Sequence, residues 1–452
     1  MAEFPTSHAP AKLPFVALAA GAALALLAFP VLEPGPNRAL AVLVFAAILW
    51  VTEAIPLALT ALLIPVMASI LGLLTVKVAF AEFANPVIFL FMGGFVLAGA
   101  LQAQALDQFM ARRFMHMAGG NFFRAAVMLM LATAILAGWI GNTSVTAMMM
   151  PLGIGLLALA QRDFSCGESR FLMLGIAYSA NIGGVMTVIG TPPNAIGAAI
   201  LNLSFSQWIR YGLPIFLITF PLMVLAMALY FRPNQNLAVG AAPAPEKLKP
   251  GTTKLLTIFA LTVFLWMAEG VLAPPLGLQN GFSALVAVGC VAMLYLSGLM
   301  RWPAILESVR WDILLLFGGG LTLGVIVEQS GLGAILIVKV MALQAGSPQV
   351  LSLWLIVLFT IILTEVMSNT ASAALLIPML YALATHTNTP PEVLVLPATI
   401  AASYGFMLPV GTPPNAMVFG TGYIPQRDMI KIGLVLNVLF SIVLTLLFVY
   451  VY

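Results

Sequence analysis

The chain has 452 residues, of which 62% are hydrophobic and only 7% are charged. A water-soluble domain of this length would carry far more charge, so composition excludes that class and predicts a polytopic membrane protein. The 18 Lys and Arg residues against 15 Asp and Glu residues leave a net charge of +3, which gives no reason to expect a nucleic-acid partner. Cys166 and Cys290 lie far apart, so we expect neither a disulfide nor a metal site from them.

Apolar stretches close to the spanning length of ~20 residues follow a polar amino-terminal tail, residues 1–14, which we expect in the cytoplasm. These stretches are residues 15–32, 39–54, 57–74, 122–140, 171–188, 213–231, 255–272, 281–299, 350–367, 393–410 and 430–452. Between the sixth and the seventh lies a polar segment, residues 232–254, which is rich in proline and lysine. Positive charge between spans is typical of cytoplasmic loops, so we predict a basic cytoplasmic loop there.

Two further apolar stretches contain glycine clusters: Gly93-Gly94 in residues 85–105 and Gly318-Gly319-Gly320 in residues 311–330. We predict that each enters the membrane and returns as a re-entrant helical hairpin. The alternative is a spanning helix that contains glycine, because glycine is common in membrane helices. After each stretch we predict an arm, residues 106–120 and 331–346, which is either an interfacial helix or an ordinary connecting helix.

Four short motifs break the apolar pattern. Gly-Asn-Thr at 141–143 and Ser-Asn-Thr at 368–370 interrupt long apolar runs, and Gly-Thr-Pro-Pro-Asn occurs at both 190–194 and 411–415. Paired prolines remove backbone donors, and glycine allows the chain to unwind, so each helix must break there. Unpaired backbone groups at membrane depth are tolerated only where they line a cavity or hold a ligand. The motifs therefore predict a binding site within the broken segments 122–205 and 349–424.

The motifs repeat in the same order in two halves, residues 15–231 and 255–452. Trp50 and Glu53 of the first half recur as Trp266 and Glu269, and the pentapeptides are 221 residues apart (411 − 190). Several markers in order at a nearly constant offset indicate an internal duplication. Halves of opposite orientation would bring all four breaks to one level, as in secondary transporters. We therefore predict an all-α protein of two inverted repeats with broken helices.

The motif residues offer amide oxygens, hydroxyls and broken backbone. Hard oxygens suit an alkali cation, and exposed amides at helix amino termini suit a carboxylate. No Arg or Lys lies in any of the four motifs, so co-bound cations would have to offset the substrate's charge. Each negative charge that enters a cell works against about 2.3 kcal/mol per 100 mV. We therefore expect sodium and an organic anion to bind together.

Four glutamates lie within or beside apolar runs: Glu53, Glu269, Glu328 and Glu365. An intramembrane carboxylate is a functional candidate by default, and Glu365 lies close to the second tripeptide. We favour structural roles over direct ion coordination, such as accepting hydrogen bonds from backbone amides at helix breaks.

The set of motifs resembles the divalent anion/sodium symporter family, which includes sodium/dicarboxylate and sodium/citrate cotransporters. The resemblance rests on the four motifs together with Trp-Val-Thr-Glu-Ala-Ile-Pro at 50–56, and it extends over nearly the whole chain. It implies a homodimer with a fixed scaffold domain, residues 15–75 and 255–299, and a transport domain that moves as an elevator. The last helix of each half would cover residues 213–231 and 428–452.

The resemblance also implies co-transported sodium and no organic cofactor. It places one sodium at Gly141, Asn142 and Gly190, and a second at Thr364, Met367, Asn369 and Gly411. Substrate carboxylates would be bound by Asn142, Thr143, Thr191, Ser368, Asn369, Thr370, Thr412 and Pro413. The family's first tripeptide usually begins with serine, whereas this chain has Gly141, so a hydroxyl is missing from the first sodium site.

These features predict an inner-membrane importer of C4-dicarboxylates such as succinate, malate or fumarate, coupled to sodium. A dicarboxylate exchanger, or a symporter of citrate or sulfate, is the alternative within the same family. An intramembrane enzyme is disfavoured because the sequence lacks a close His pair with a carboxylate and lacks a Ser or Cys with a nearby His. A channel is disfavoured because duplicated midplane breaks fit alternating access better.

Overall fold

The computed structural model describes residues 12–161, 166–239, 248–278, 281–335, 348–387 and 389–452. In these ranges the secondary structure is helical, and no β-strand occurs. The first half contains α1 (Leu13–Ala28), α2 (Pro34–Thr52), α3 (Leu57–Ile70), α4 (Val76–Ala81), α5 (Pro86–Ala103), α6 (Leu106–Met117), α7 (Phe122–Ala137), α8 (Asn142–Leu159), α9 (Gly167–Gly184), α10 (Pro192–Ile200) and α11 (Phe205–Phe231). The second half contains α12 (Thr252–Met267), α13 (Glu269–Leu272), α14 (Phe282–Leu296), α15 (Trp302–Ser308), α16 (Trp311–Gln329), α17 (Gln349–Val366), α18 (Asn369–His386), α19 (Pro391–Ala401), α20 (Pro413–Gly420) and α21 (Gln426–Tyr450).

The helices confirm the polytopic membrane class. Within the described ranges, seven helical segments are at least 18 residues long and apolar enough to cross a membrane. Every predicted apolar stretch overlaps a helix, and most of these helices end before the predicted limit. Helix α9 ends at Gly184 and α19 ends at Ala401, because the chain unwinds ahead of each Gly-Thr-Pro-Pro-Asn motif.

The two halves exchange packing partners. Helix α5 packs against α14, and its counterpart α16 packs against α3. Likewise α10 packs against α18, and its counterpart α20 packs against α8. Each of these contacts therefore occurs twice, once with the roles of the two halves exchanged. Such reciprocal packing is expected of the predicted inverted repeats.

The glycine clusters do not form turns. Gly93 lies inside the continuous helix α5, and Gly319 lies inside the continuous helix α16, so the predicted return of the chain within these stretches is wrong. A Cβ on Gly93 would lie 2.6 Å from the Cβ of Ala287, and a Cβ on Gly319 would lie 2.5 Å from that of Ala61. These glycines let α5 approach α14 and α16 approach α3, which is a common use of small residues between membrane helices.

The first predicted arm is helix α6, which packs against α7. Most of the second predicted arm, together with residues 1–11 of the tail and residues 240–247 of the basic loop, lies outside the described residues.

Candidate functional site

All four helix breaks border one cavity of about 1200 Å³. The breaks lie between α7 and α8, α9 and α10, α17 and α18, and α19 and α20. The predicted site residues that line the cavity are Gly141, Asn142, Thr143, Gly190, Thr191, Ser368, Asn369, Thr370, Gly411, Thr412 and Pro413. The structure thus brings together motifs that are more than 200 residues apart in sequence.

Four helices begin at this cavity: α8, α10, α18 and α20. Only α20 has a side-chain cap, in which Thr412 Oγ1 accepts a hydrogen bond from the Asn415 amide at 3.2 Å. The first turns of α8, α10 and α18 have no side-chain cap. Their amide groups and the positive ends of the helix dipoles can therefore serve a bound anion.

Oxygen atoms crowd around Asn369 in the second half. Thr364 Oγ1 lies 2.7 Å from Asn369 Oδ1 and 2.7 Å from the carbonyl oxygen of Ala402. A hydroxyl has one hydrogen and cannot donate to both. If the Asn369 amide is turned over, its nitrogen lies 3.3 Å from the Gly411 carbonyl oxygen and within reach of the other two oxygens. In that orientation the amide donates to all three oxygens. In the other orientation Asn369 Oδ1 faces them, and these four oxygens have the composition of an alkali-cation site.

In the first half, Asn142 Oδ1 is buried and has no hydrogen-bond partner among the described residues. The Asn142 side chain lies against the end of α9, because a Cβ on Gly184 would be 2.6 Å from this oxygen. The carboxyl end of a helix carries partial negative charge. A partnerless oxygen at this point favours a cation over an anion.

Two asparagines of the pentapeptides brace the unwound segments. Asn194 Nδ2 donates to the carbonyl oxygens of Gly184 and Thr187, at 2.9 and 2.7 Å. Asn415 Nδ2 donates to Gly405 and Leu408 at 2.9 and 3.1 Å in the second half. The asparagine of each pentapeptide therefore makes equivalent hydrogen bonds to the unwound segment that precedes it. Both side chains are fully buried.

Glu365 binds the unwound segment of the second half through hydrogen bonds to its backbone. Its Oε1 accepts from the amides of Phe406 and Met407 at 2.6 and 2.8 Å, and its Oε2 accepts from Leu408 at 3.0 Å. The Asn437 side chain donates to Oε1 at 2.7 Å. The preferred structural role of Glu365, accepting backbone amides at a helix break, is confirmed.

Other intramembrane glutamates differ from Glu365. Glu269 is buried and accepts a hydrogen bond from Ser283 Oγ, Glu328 is exposed, and Glu53 lines the cavity. Two predicted sodium residues, Thr364 and Met367, do not line the cavity and are buried. Thr364 still belongs to the oxygen cluster behind Asn369.

Four charged side chains also line the cavity. They are Glu53, Glu307, Arg310 and Asp312. Arg310 binds Asp312 through two hydrogen bonds of 3.1 and 2.9 Å. These hydrogen bonds raise the pKa of the Arg310 guanidinium above its usual value. Its charge is therefore already paired, and the cavity offers no isolated cationic side chain from the described residues.

Asn181 lies outside every motif from which the site was predicted. This residue is fully buried, lines the cavity and donates from Nδ2 to Thr412 Oγ1 at 3.2 Å. A polar residue in the apolar run of α9 was a detectable signal. No motif marked it, because its counterpart in the second half is Ala402 (181 + 221).

The profile of the family described as citrate transporter, CitMHS, matches residues 47–385 and 282–452. The chain belongs to this citrate transporter family. The predicted resemblance is confirmed as well, since relatives named sodium-dependent dicarboxylate transporter SdcS match over most of the chain. The family and its relatives are transporters, as predicted, and not enzymes.

The chain is similar to transporters from other organisms. An uncharacterized transporter of Haemophilus influenzae is 42% identical, with 91% of each chain covered. The SdcS of Staphylococcus saprophyticus is 33% identical, with 91% of this chain and 85% of the relative covered. The crystal structure of the Alcanivorax borkumensis YdaH transporter has a TM-score of 0.58 at 16% identity, covering 83% of this chain and 87% of that one. This similarity supports the fold, and the topology of the YdaH transporter has been described as unusual.

Proposed function

We propose that this protein imports C4-dicarboxylates such as succinate, malate and fumarate across the cell inner membrane, driven by sodium. The observation that carries this proposal is the meeting of four uncharged helix breaks at one cavity. Relatives named sodium-dependent dicarboxylate transporter support the choice of ion and substrate.

Two sodium sites follow from the oxygen atoms. The first would use Gly141, Asn142 and Gly190, because the Asn142 oxygen is buried without a partner at the end of α9. The second would use Asn369, Gly411 and the buried Thr364 hydroxyl, whose oxygens lie close together when Asn369 Oδ1 faces Thr364. Met367 would contribute its backbone carbonyl, since its amide donates to Leu363 and its side chain is buried.

The substrate would lie between the two sodium sites. The residues proposed to contact its carboxylates are Asn142, Thr143, Thr191, Ser368, Asn369, Thr370, Thr412 and Pro413, all of which line the cavity. Uncapped helix amino termini would receive the carboxylates, and the two cations would offset their charge. Substrate and sodium would therefore bind cooperatively.

We further propose alternating access by an elevator movement of a transport domain against a scaffold domain in a homodimer. The structure fits an inward-facing state. The cavity extends to Ala103, whose carbonyl accepts a hydrogen bond of 3.2 Å from Lys249 of the basic loop. The positive-inside rule assigns that loop to the cytoplasm.

The test is uptake of radiolabelled succinate into proteoliposomes, with and without an inward sodium gradient, challenged by citrate and sulfate. We expect saturable uptake that requires sodium and is lost in Asn142→Ala and Asn369→Ala. The matched control is Asn236→Ala, since Asn236 is exposed in the basic loop. Full sodium-driven uptake in both site variants would refute the site. Stimulation by internal dicarboxylate without sodium would instead support the exchanger, and stronger competition by citrate or sulfate would change the substrate.

A further inference from the structure

Asn181 is a buried side chain whose two ends meet different parts of the cavity wall. Its Nδ2 faces the second half, 3.2 Å from Thr412 Oγ1 and 3.5 Å from Asn415 Oδ1. Its Oδ1 is buried and has no hydrogen-bond partner among the described residues. A buried carbonyl oxygen without a partner costs about 1–3 kcal/mol, so a ligand that donates a hydrogen bond or carries positive charge would be stabilised here.

The surroundings select the kind of ligand. Gly184 follows Asn181 by three residues, so both lie on the same face of α9. The Asn142 side chain packs against Gly184, and its Oδ1 also lacks a partner. Succinate and fumarate offer only acceptors, and malate has a single hydroxyl donor, so none of them can satisfy two carbonyl oxygens. The negative end of the α9 dipole adds to the preference for a cation.

We propose that Asn181 Oδ1 is an additional ligand of the first sodium site, beside Asn142. This inference rests on the proposed function and extends it. Gly141 gives that site a carbonyl but no hydroxyl, and Asn181 supplies a side-chain oxygen from another helix. The second half has Ala402 at the equivalent position, so only the first site has this ligand.

The other end of Asn181 connects this cation to the substrate. Thr412 Oγ1 accepts hydrogen bonds from Asn181 Nδ2 and from the Asn415 amide, both at 3.2 Å. Its two lone pairs are thus occupied, and its own hydrogen is left to donate into the cavity, where a substrate carboxylate would accept it. A cation on Asn181 Oδ1 polarises the amide and strengthens this chain of hydrogen bonds. Sodium in the first half thereby favours substrate binding in the second.

Two variants separate the ends of the side chain. Asn181→Ala removes both the oxygen and the donor, whereas Asn181→Asp keeps an oxygen ligand and removes the donor to Thr412. The control is Ser179→Ala, because Ser179 lies on the same helix, is equally buried and does not line the cavity. Its hydroxyl also has no hydrogen-bond partner in the described part of the chain. The first measurement is the thermal shift of purified protein in NaCl relative to KCl without substrate, which does not depend on transport.

We expect the half-saturating sodium concentration of this shift to rise about tenfold in Asn181→Ala, which corresponds to the loss of one ion contact. The double variant with Asn142→Ala should be no worse than Asn142→Ala alone, because both residues serve one ion. Asn181→Asp should keep the sodium response, but its succinate half-saturation in proteoliposomes should rise about tenfold. Ser179→Ala should match the unmodified protein in both measurements.

An unchanged sodium response in Asn181→Ala would overturn the proposal. If only its succinate half-saturation rose, Asn181 would be a substrate contact instead. A sodium response in the unmodified protein without any succinate uptake would contradict the proposed substrate and leave the sodium ligand supported. The absence of a sodium response in the unmodified protein would refute both the proposed sodium coupling and the role of Asn181.

Discussion

The carboxylate of Glu365 offers a strong test of how the second break is held open. It accepts four hydrogen bonds, from the amides of Phe406, Met407 and Leu408 and from the Asn437 side chain. Glu365→Ala would leave one buried and two partly buried backbone amides, and the Asn437 side chain, without an acceptor, at about 1–3 kcal/mol each. After partial rehydration from the cavity, we expect a loss of about 3–5 kcal/mol. Glu365→Gln keeps one acceptor oxygen and should lose about 1–3 kcal/mol.

The assay is the apparent unfolding temperature of detergent-purified protein at one fixed heating rate. Glu328→Ala and Glu328→Gln are the matched controls, because Glu328 is an exposed glutamate on α16 and surface substitutions change stability by at most about 0.5 kcal/mol. We expect the unfolding temperature to be highest in the Glu328 variants, lower in Glu365→Gln and lowest in Glu365→Ala. Equal unfolding temperatures for Glu365→Ala and Glu328→Ala would show that the carboxylate does not support the unwound segment.

Three further predictions concern packing and the breaks. Gly319→Ala should destabilise the protein by about 1–3 kcal/mol, because the new Cβ would lie 2.5 Å from a neighbouring Cβ; Gly289→Ala, with open space around it, should be neutral in the same thermal assay. Gly184→Ala should displace the Asn142 oxygen, 2.6 Å from the new methyl, and raise the half-saturating sodium concentration of uptake severalfold while folding persists. Asn415→Ala removes the hydrogen-bond donor of two carbonyl oxygens, those of Gly405 and Leu408, and should lower both stability and transport. Normal transport at full stability would show that Asn415 does not hold the unwound segment.

The position of the breaks was predictable because it follows from local chemistry. Paired prolines after Gly-Thr stop a helix whatever surrounds them, and α10 and α20 begin at Pro192 and Pro413. Duplication then indicated that the breaks belong together, and the cavity contains them all. A shared role of Asn194 and Asn415 was also predictable, since each is the last residue of the repeated Gly-Thr-Pro-Pro-Asn motif.

Other features depended on contacts that no local pattern records. Gly93 and Gly319 were interpreted as part of a turn, but they allow two helices to pack closely. Glycine serves both purposes, and which one applies depends on the helix that lies opposite. Asn181 has no counterpart in the repeat, and its partner Thr412 is 231 residues away. Glu365 was visible as a charge in an apolar run, but its four donors come from segments that follow it by 41 to 72 residues.

The reciprocal packing of α5 on α14 and α16 on α3 has a consequence for the history of the chain. A single copy would expose the glycine-lined groove that the other copy now fills. The ancestor, before gene duplication, would therefore have needed a second molecule inserted upside down beside it. Expressing the two halves as separate polypeptides should regenerate that ancestral arrangement, and either half alone should be degraded.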